Sequence, residues 1–444
     1  MKDSLSFKSY LLKIGLIVLL FIYLPILFSF ASGSTIGAFL ASSACFWLLL
    51  NISTYLILQE KKYLRYYAIA FLLQLIIGVG HYLYFVDSSY FAGNGGATTG
   101  FWHEFLTTVS SVEMIHSNWA QNGFFSMVPT EDFYMTHREI WHIIAYPFYF
   151  LGHKWLNYAP FNIYCSLFAS VNIVAMYKNK LNDNCLSYLK FWTAYFPLFV
   201  FSDWMWRDAF GILLITIGLS FLSLAKTSIE KFCAFIWLGV GSFIQRTMYL
   251  VLAGAAFGYD YIRKQRNRAV QVFTAILSIV LVYFLLQYTQ EVNDESYNSG
   301  YVNSMSFIAL PIKIVFGLIG PFPWIQFFDL VNKNPAFAWQ LGDYVLGTFQ
   351  FGYLISLIAK HKSVDFHNLD TCTVLGFGIM LSGFVTAQLH IGYIAEGLYF
   401  TLPWYFARLG SQYKRYFRIS FMILIILNIV IYAIGGLSIS SLWK

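Results

Sequence analysis

The segment Leu11–Phe30, LLKIGLIVLLFIYLPILFSF, decides the fold class of this protein. Lys13 is its one charged residue, and a helix of about 20 apolar residues is what crosses the hydrocarbon core of a bilayer. Lys2 and Lys8 precede it, as basic residues precede a secretory signal, but the run is longer than such a signal and a second apolar run follows at once. We therefore interpret it as a retained first transmembrane helix.

The rest of the chain has the same character. Its 444 residues are 58% hydrophobic and 20% aromatic, only 11% are charged, and the mean hydropathy is +0.61. This composition excludes a water-soluble domain of ordinary kind. The sequence predicts an all-α polytopic membrane protein with about 11–13 transmembrane helices, short re-entrant helices and one large periplasmic loop. The predicted spans lie near 11–31, 36–57, 67–86, 159–177, 186–203, 207–225, 269–288, 341–360, 371–390, 393–409 and 419–440.

Basic residues favour one orientation of these spans. Alternate loops carry EKKYLR, YKNK, IRKQRNR and QYKRYFR, and cytoplasmic loops are the ones enriched in Lys and Arg. The amino terminus is therefore predicted in the cytoplasm. Seven of the 28 Lys and Arg residues then lie outside, namely Arg138, Lys154, Arg207, Arg246, Lys313, Lys333 and Lys444.

We predict a single integral membrane domain over 1–444, in which three segments differ from simple spans. The segment 87–158 is predicted as the large periplasmic loop with interfacial helices, and its short apolar piece 140–151 is expected to lie along the interface. Segment 232–262 is too long for one span and is flanked by cytoplasmic basic residues, so it is predicted as a helical hairpin with Arg246 at its tip. Segment 305–329 is broken by prolines and is predicted as an outer re-entrant segment, which favours a cavity open to the outside.

Cysteine and histidine do not form a metal-binding pattern. The five cysteines are scattered through or beside apolar runs without a CxxC pair, and no histidines stand in an HExxH arrangement. We therefore predict no metal, no cofactor and no disulfide framework.

The stretch FSDWMWRDAFG, from Phe201 to Gly211, places charges between two apolar runs. Arg207 opens a predicted span from its outer end, where a cation opposes the helix dipole and needs an anion nearby. Asp203 could be that anion in a purely structural pair. A phosphate could equally fill the role, because both the guanidinium fork and a helix start bind phosphate.

Other charged residues are candidates for the same site. Arg246 would be costly at the tip of a membrane hairpin unless it is paired, so it is a functional candidate by default. Lys313, in the re-entrant segment, follows the same logic, and such outer cations suggest a lipid phosphate as ligand. Asp87 directly follows the third predicted span, where its carboxylate could be a general base for a sugar hydroxyl or simply a solvated charge. Glu104, in WHEF, is the next candidate for the base.

Several segments carry a family resemblance. An acidic residue opens the first large outer loop in FVDSSYFAGNG, and APFNIYCSLFASVNIVAMY, AYFPLFVFSDWMWRDAF, SFIQRTMY and GPFPW follow along the chain. With this layout the chain resembles bacterial Wzy-type polymerases of O-antigen or oligosaccharide repeat units, within the broader GT-C-like polytopic glycosyltransferases. The resemblance implies an enzyme of lipopolysaccharide or related polysaccharide synthesis in the bacterial inner membrane. Its donor and acceptor would both be undecaprenyl-pyrophosphate-linked oligosaccharide at the periplasmic face.

The resemblance also implies roles for the candidate residues. Asp87 would match the outer-loop acid of GT-C transferases, and Arg207 and Arg246 would match the cations that hold the pyrophosphate. Lys313 and Arg138 are the further phosphate-binding candidates. Cations that stabilise the leaving pyrophosphate can replace a metal. A chain-length regulator protein is a possible partner, and nucleic acid is not expected.

The sequence departs from the family pattern near its carboxyl end. An Arg after an outer N-G step is expected there, whereas this chain reads HIGYIAEGLYFTLP with His390 and Glu396. Which cation binds in the last spans therefore stays open. The outer-loop tryptophans could stack on sugar faces or anchor the loop at the interface. They are Trp102, Trp119, Trp141 and Trp155.

Two other functions remain open at this stage. A GT-C transferase that adds one sugar from a polyprenyl-phosphate donor would share most of these features. A flippase or transporter of lipid-linked sugars would need charges along a central path, and such proteins often carry an internal repeat, of which this sequence shows none.

Overall fold

The computed structural model describes much of the amino-terminal half of the chain and parts of the rest. The described residues are 5–31, 33–86, 100–129, 138–152, 155–181, 184–194, 207–245, 369–385 and 391–409, with scattered residues between 254 and 426. Every regular element among them is a helix, as the sequence predicts. The α-helices are α1 (Phe7–Phe28), α2 (Thr35–Leu58), α3 (Lys61–Val86), α4 (Gly100–Asn122), α5 (Arg138–Leu151), α6 (Ala159–Leu181), α7 (Asn184–Ala194), α8 (Arg207–Leu224), α9 (Ser228–Gln245), α10 (Thr371–Val385) and α11 (Ile391–Leu409).

Within these ranges, four helical stretches are long and apolar enough to cross a membrane, and they match four of the predicted spans. This supports a membrane protein. The re-entrant segment predicted over 305–329 lies outside the described residues. Most of each of three predicted spans, 269–288, 341–360 and 419–440, lies outside them as well. The four stretches are Phe7–Ala31, Thr35–Leu58, Lys61–Val79 and Leu156–Leu181.

The chain divides into two compact units. Unit 1 comprises Met1–Met176 and Leu198–Arg246, and unit 2 comprises Tyr177–Pro197 and Thr247–Lys444. The single membrane domain over 1–444 stays a prediction.

The first part of α6 forms the core of unit 1, where its side chains are almost all buried. The hydroxyl of Tyr10, on α1, donates to Asn172 Oδ1 at 2.7 Å. The hydroxyls of Tyr67, on α3, and Ser170 lie 2.9 Å apart. A buried polar group is costly unless it is hydrogen-bonded. These pairs therefore fix the positions of α1 and α3 against α6.

Helices α8 and α9 form a close hairpin in unit 1. A Cβ atom on Gly218 would lie 2.8 Å from Leu238 Cγ, and one on Gly241 would lie 3.2 Å from Leu214 Cβ. Trp237 Nε1 donates to the carbonyl of Leu214 at 3.1 Å. Each helix thus supplies a glycine that lets the other approach.

A capping box starts α9. The hydroxyl of Thr227 accepts from the backbone N–H of Glu230, and the Glu230 carboxylate accepts from the N–H of Thr227. This cap starts the helix at Ser228, four residues before the hairpin predicted over 232–262. The predicted tip, Arg246, and most of the second arm lie outside the described residues.

Basic residues gather at one end of unit 1. The rings of Phe7 and Phe221 lie 5.3 Å apart, which places the start of α1 beside the end of α8. Lys8 is close enough to Glu230 to act on its carboxylate electrostatically. Lys226 lies in the short link between α8 and α9, just before Glu230. The predicted orientation puts the amino terminus and the loop after α8 on the same side of the membrane, so it requires these basic residues to lie near each other. The cytoplasmic location of that side stays a prediction.

In unit 2, α10 and α11 approach closely. A Cβ atom on Gly376 would lie 2.7 Å from the carbonyl oxygen of Gly397. Asp370 caps α10 and also accepts a hydrogen bond from the hydroxyl of Tyr177, near the end of α6. Lys180 Nζ lies 3.5 Å from the same carboxylate. These contacts join the end of α6 to the start of α10.

Candidate functional site

The segment predicted as the outer loop, 87–158, contains two packed helices, α4 and α5, among its described residues. Helix α5 packs against α1, α2 and α4, and most of its described side chains are buried, with Ile143 and Tyr149 exposed. His116, on α4, contacts α5 near the middle of that helix. This part of the loop is therefore built onto the helices of unit 1.

Trp119 is the centre of an aromatic cluster between α4 and α5. Its ring centroid lies 4.9 Å from that of Phe124, 5.8 Å from that of Phe125 and 5.8 Å from that of Tyr149. Edge and tilted contacts at these distances stabilise aromatic packing. The members of the aromatic cluster are His116, Trp119, Phe124, Phe125, His142, Tyr146, Tyr149 and Phe150.

The turn that follows α4 has a fixed backbone. Gly123 and Phe125 both have positive φ, 97° and 71°, a conformation that glycine adopts readily and phenylalanine does not. The carbonyl of Ser126 accepts from Asn118 Nδ2 at 2.9 Å and from Trp119 Nε1 at 3.1 Å. These two hydrogen bonds hold the unfavourable conformation of Phe125 in place.

The two histidines of the cluster use the same ring nitrogen in opposite hydrogen-bonding roles. His116 Nε2 lies 2.9 Å from the carbonyl oxygen of Ala145, so that nitrogen must carry the hydrogen and donate it. The N–H of Val128 donates to His142 Nε2 at 3.3 Å, so that nitrogen carries none. Both side chains therefore have a structural role in joining α5 to α4 and to the turn.

Polar atoms are buried beside the cluster without a hydrogen-bond partner in the described structure. They are Trp141 Nε1, Asn157 Oδ1 and the hydroxyl of Tyr158. The Tyr158 ring packs on that of Phe148 with centroids 4.0 Å apart, and the Glu113 carboxylate acts on Tyr158 electrostatically. Buried polar atoms in native proteins nearly always have a partner, protein or water. This region can thus offer hydrogen bonds to water or to a ligand hydroxyl.

The side chains predicted for catalysis and phosphate binding all lie outside the described part of the structure. Asp87, Arg246 and Lys313 lie outside the described residues. Glu104 lies on α4, and Arg138 and Arg207 are the first residues of α5 and α8, but their side chains lie outside the described part. Their shared site therefore stays a prediction.

Two of the tryptophans predicted at the surface are core residues. Trp119 is 3% exposed and Trp141 is 2% exposed, so neither has a free face for a sugar ring. The exposed aromatic surface belongs to Phe124, Phe125 and Tyr149 instead. In the sequence, the only signal for this surface is the pair of phenylalanines directly after a glycine.

No protein-family model matches the chain, and no curated protein or solved structure matches it significantly. The resemblance to Wzy-type polymerases therefore rests on the quoted segments alone.

Proposed function

We propose that this protein is a multi-pass glycosyltransferase of the bacterial inner membrane. It would join undecaprenyl-pyrophosphate-linked oligosaccharide repeat units at the periplasmic face, in the synthesis of O-antigen or a related surface polysaccharide. The amino terminus would be cytoplasmic and about 11–13 helices would cross the membrane.

The polar atoms buried in the outer loop carry the proposal. Asn157 Oδ1 and the Tyr158 hydroxyl have no hydrogen-bond partner among the described side chains. The Glu113 carboxylate lies close enough to act electrostatically on the Tyr158 hydroxyl. A buried polar atom without a partner is costly, so a bound molecule that supplies the partner is favoured. A loop that binds the hydroxyl groups of a glycan needs such atoms.

The chemistry requires a base and an anion-binding group. Asp87, with Glu104 as the alternative, would accept the proton of the acceptor sugar hydroxyl, whose oxygen attacks the anomeric carbon of the donor glycan. The bond from that carbon to the pyrophosphate oxygen breaks, and undecaprenyl pyrophosphate leaves with the electron pair. Arg207 and Arg246 would stabilise its charge, with Lys313 and Arg138 as further candidates. Such a reaction needs no metal.

Deletion of the gene tests the proposal through the gel profile of the surface polysaccharide. A polymerase deletion leaves a lone capped repeat unit. An unaltered ladder of changed mass would indicate a single-sugar transferase, and loss of all exported repeats would indicate a flippase.

Complementation then tests the base. Asp87→Asn should keep the protein in the membrane and abolish long chains, because the amide cannot accept the proton. Asp132→Asn is the matched control, since it changes an outer-loop aspartate without a proposed role, and it should restore the ladder. Long chains with Asp87→Asn would reject the role of Asp87 and turn attention to Glu104.

A further inference from the structure

The turn after α4 and the face of α5 beside it form an uncharged apolar surface. Residues 114–130 and 140–152 contain no Lys, Arg, Asp or Glu. Phe125 is 63% exposed although it belongs to the aromatic cluster. Exposed apolar side chains that gather in one place mark an interaction surface. This turn surface consists of Phe124, Phe125, Met127 and Tyr149, each of which is exposed.

The turn surface lies beside the apolar part of α1 and not beyond its end. The Tyr146 hydroxyl donates to the carbonyl of Ile22 at 3.0 Å. The ring of Phe125 stacks on that of Tyr146, with centroids 6.0 Å apart and planes 6° apart. Ile22 precedes the last residue of α1, Phe28, by six positions, which is about 9 Å along the helix axis.

The surface of α1 at this level is apolar and exposed as well. Tyr23, Ile26 and Leu27 are exposed, and Tyr23 directly follows Ile22, whose carbonyl accepts the hydrogen bond from Tyr146. The two surfaces therefore adjoin, and the medium that surrounds α1 at this level also reaches the turn. Around an apolar helix of membrane-spanning length, that medium is lipid.

The fixed backbone explains how the turn keeps this surface exposed. A phenylalanine with positive φ would relax to another conformation if the chain were free to do so. The hydrogen bonds from Asn118 and Trp119 to the carbonyl of Ser126 prevent this. Phe125 is thus held exposed at a cost in conformational energy, which is expected when the exposure serves a contact.

We propose that the turn surface contacts the acyl chains of outer-leaflet phospholipids. The end of α4 and the turn 123–127 are then a re-entrant element of the outer leaflet, and not a water-exposed part of the loop. Phe and Met side chains are apolar and suit contact with acyl chains, and Tyr149 belongs to a residue type that is enriched at the membrane–water interface. The proposal rests on α1 crossing the membrane with its amino terminus in the cytoplasm, and it does not depend on glycosyl transfer.

Collision measurements on a nitroxide label test the proposal in the full-length chain. The native cysteines are replaced, Phe125→Cys is labelled, and the protein is reconstituted in vesicles of phosphatidylethanolamine and phosphatidylglycerol. Oxygen concentrates in the acyl region and a nickel chelate stays in water. The label at 125 should show a high ratio of oxygen to nickel collisions. Met127→Cys provides a second position on the same surface if the first variant does not fold.

Two reference positions calibrate the ratio. Leu27→Cys, on the exposed face of α1, reports lipid, and Lys226→Cys, in the link before α9, reports water. The proposal is supported if the labels at 125 and 127 resemble the label at 27. It is overturned if they resemble the label at 226, and also if the label at 27 itself reports water, because α1 would then not face lipid at this level.

Discussion

Asn157 is the side chain whose loss should most weaken the contact between α5 and α2 in unit 1. Its Nδ2 donates to the carbonyl of Leu151 at 3.1 Å and to that of Gly152 at 2.9 Å. These carbonyls lie at the end of α5, where the helix itself offers them no partner. Ser42 donates to the backbone carbonyl of Asn157 at 2.7 Å, which ties the same point to α2. Asn157→Ala removes the first two hydrogen bonds and leaves that of Ser42 in place.

The size of the effect follows from the burial of each group. A buried carbonyl left without a partner costs about 1–3 kcal/mol. Leu151 is buried and should incur this cost, whereas Gly152 is partly exposed and incurs less of it. The change also removes the unpartnered Asn157 Oδ1, which returns about 1 kcal/mol. We expect the free energy of unfolding to fall by about 2 kcal/mol. Asn157→Asp should cost more, because a carboxylate would face two carbonyl oxygens.

Denaturant titration of the purified full-length protein in micelles, followed by the helical circular dichroism signal, measures these changes. Asn122→Ala is the matched control, because Asn122 is exposed and its amide donates to Asn118 on the same helix. The control should change stability by less than about 0.5 kcal/mol. If Asn157→Ala is as mild as the control, or Asn157→Asp is milder than Asn157→Ala, the reasoning is refuted.

Three further predictions concern other parts of the chain. Gly376→Ala should destabilise unit 2 by about 1–3 kcal/mol, because its Cβ would meet the carbonyl of Gly397; an unchanged unfolding midpoint in the same titration would contradict the close approach. Backbone hydrogen bonds at the start of α9 lower the pKa of Glu230 from its ordinary value of 4.5, so the cap stabilises the fold above that pH and loses its effect as the pH falls through the lower folded value. The ratio of the hydrogen-exchange rates of the 226 and 227 amides in the native protein to those in Glu230→Gln should therefore rise as the pH falls. Equal pH profiles of the two proteins would argue against the cap. Arg246→Ala should stop polymerisation without loss of protein, and Arg246→Lys should restore it only in part, because an ammonium lacks the bidentate fork; full activity of either variant in the ladder assay would remove Arg246 from the site.

The membrane helices could be predicted from the sequence because an uninterrupted apolar run is a local property. The prediction of 11–31 differs from α1 mainly at the start, where Ser6 caps the helix and brings Phe7 and the following residues into it. Helix α3 begins at Lys61, six residues before the predicted span 67–86. The basic residues there are good helix formers, so the helix continues beyond its apolar part.

The helix α4 and the aromatic cluster could not be predicted in this way. Residues 100–122 contain no uninterrupted apolar run, so the search for such runs places this segment in the loop, although Val109, Val112 and Trp119 recur at helical spacing. What stabilises α4 is tertiary, such as the hydrogen bond of His116 to α5. The burial of Trp119 and Trp141 likewise depends on which residues fold over them, and their type alone favours a surface position equally well. The predicted phosphate site depends on contacts between residues far apart in sequence, so it stays a prediction.

The close contact between α8 and α9 has a consequence for how the nascent chain enters the membrane. The link between the helices is only Ala225–Thr227, and Gly218 and Gly241 let the two helices pack directly against each other. We therefore expect the pair to leave the translocon together and to join the helices made earlier as one preassembled piece. The helices would then assemble in pairs. The start of α9 would already lie beside α8 while the ribosome is still synthesising the end of α9.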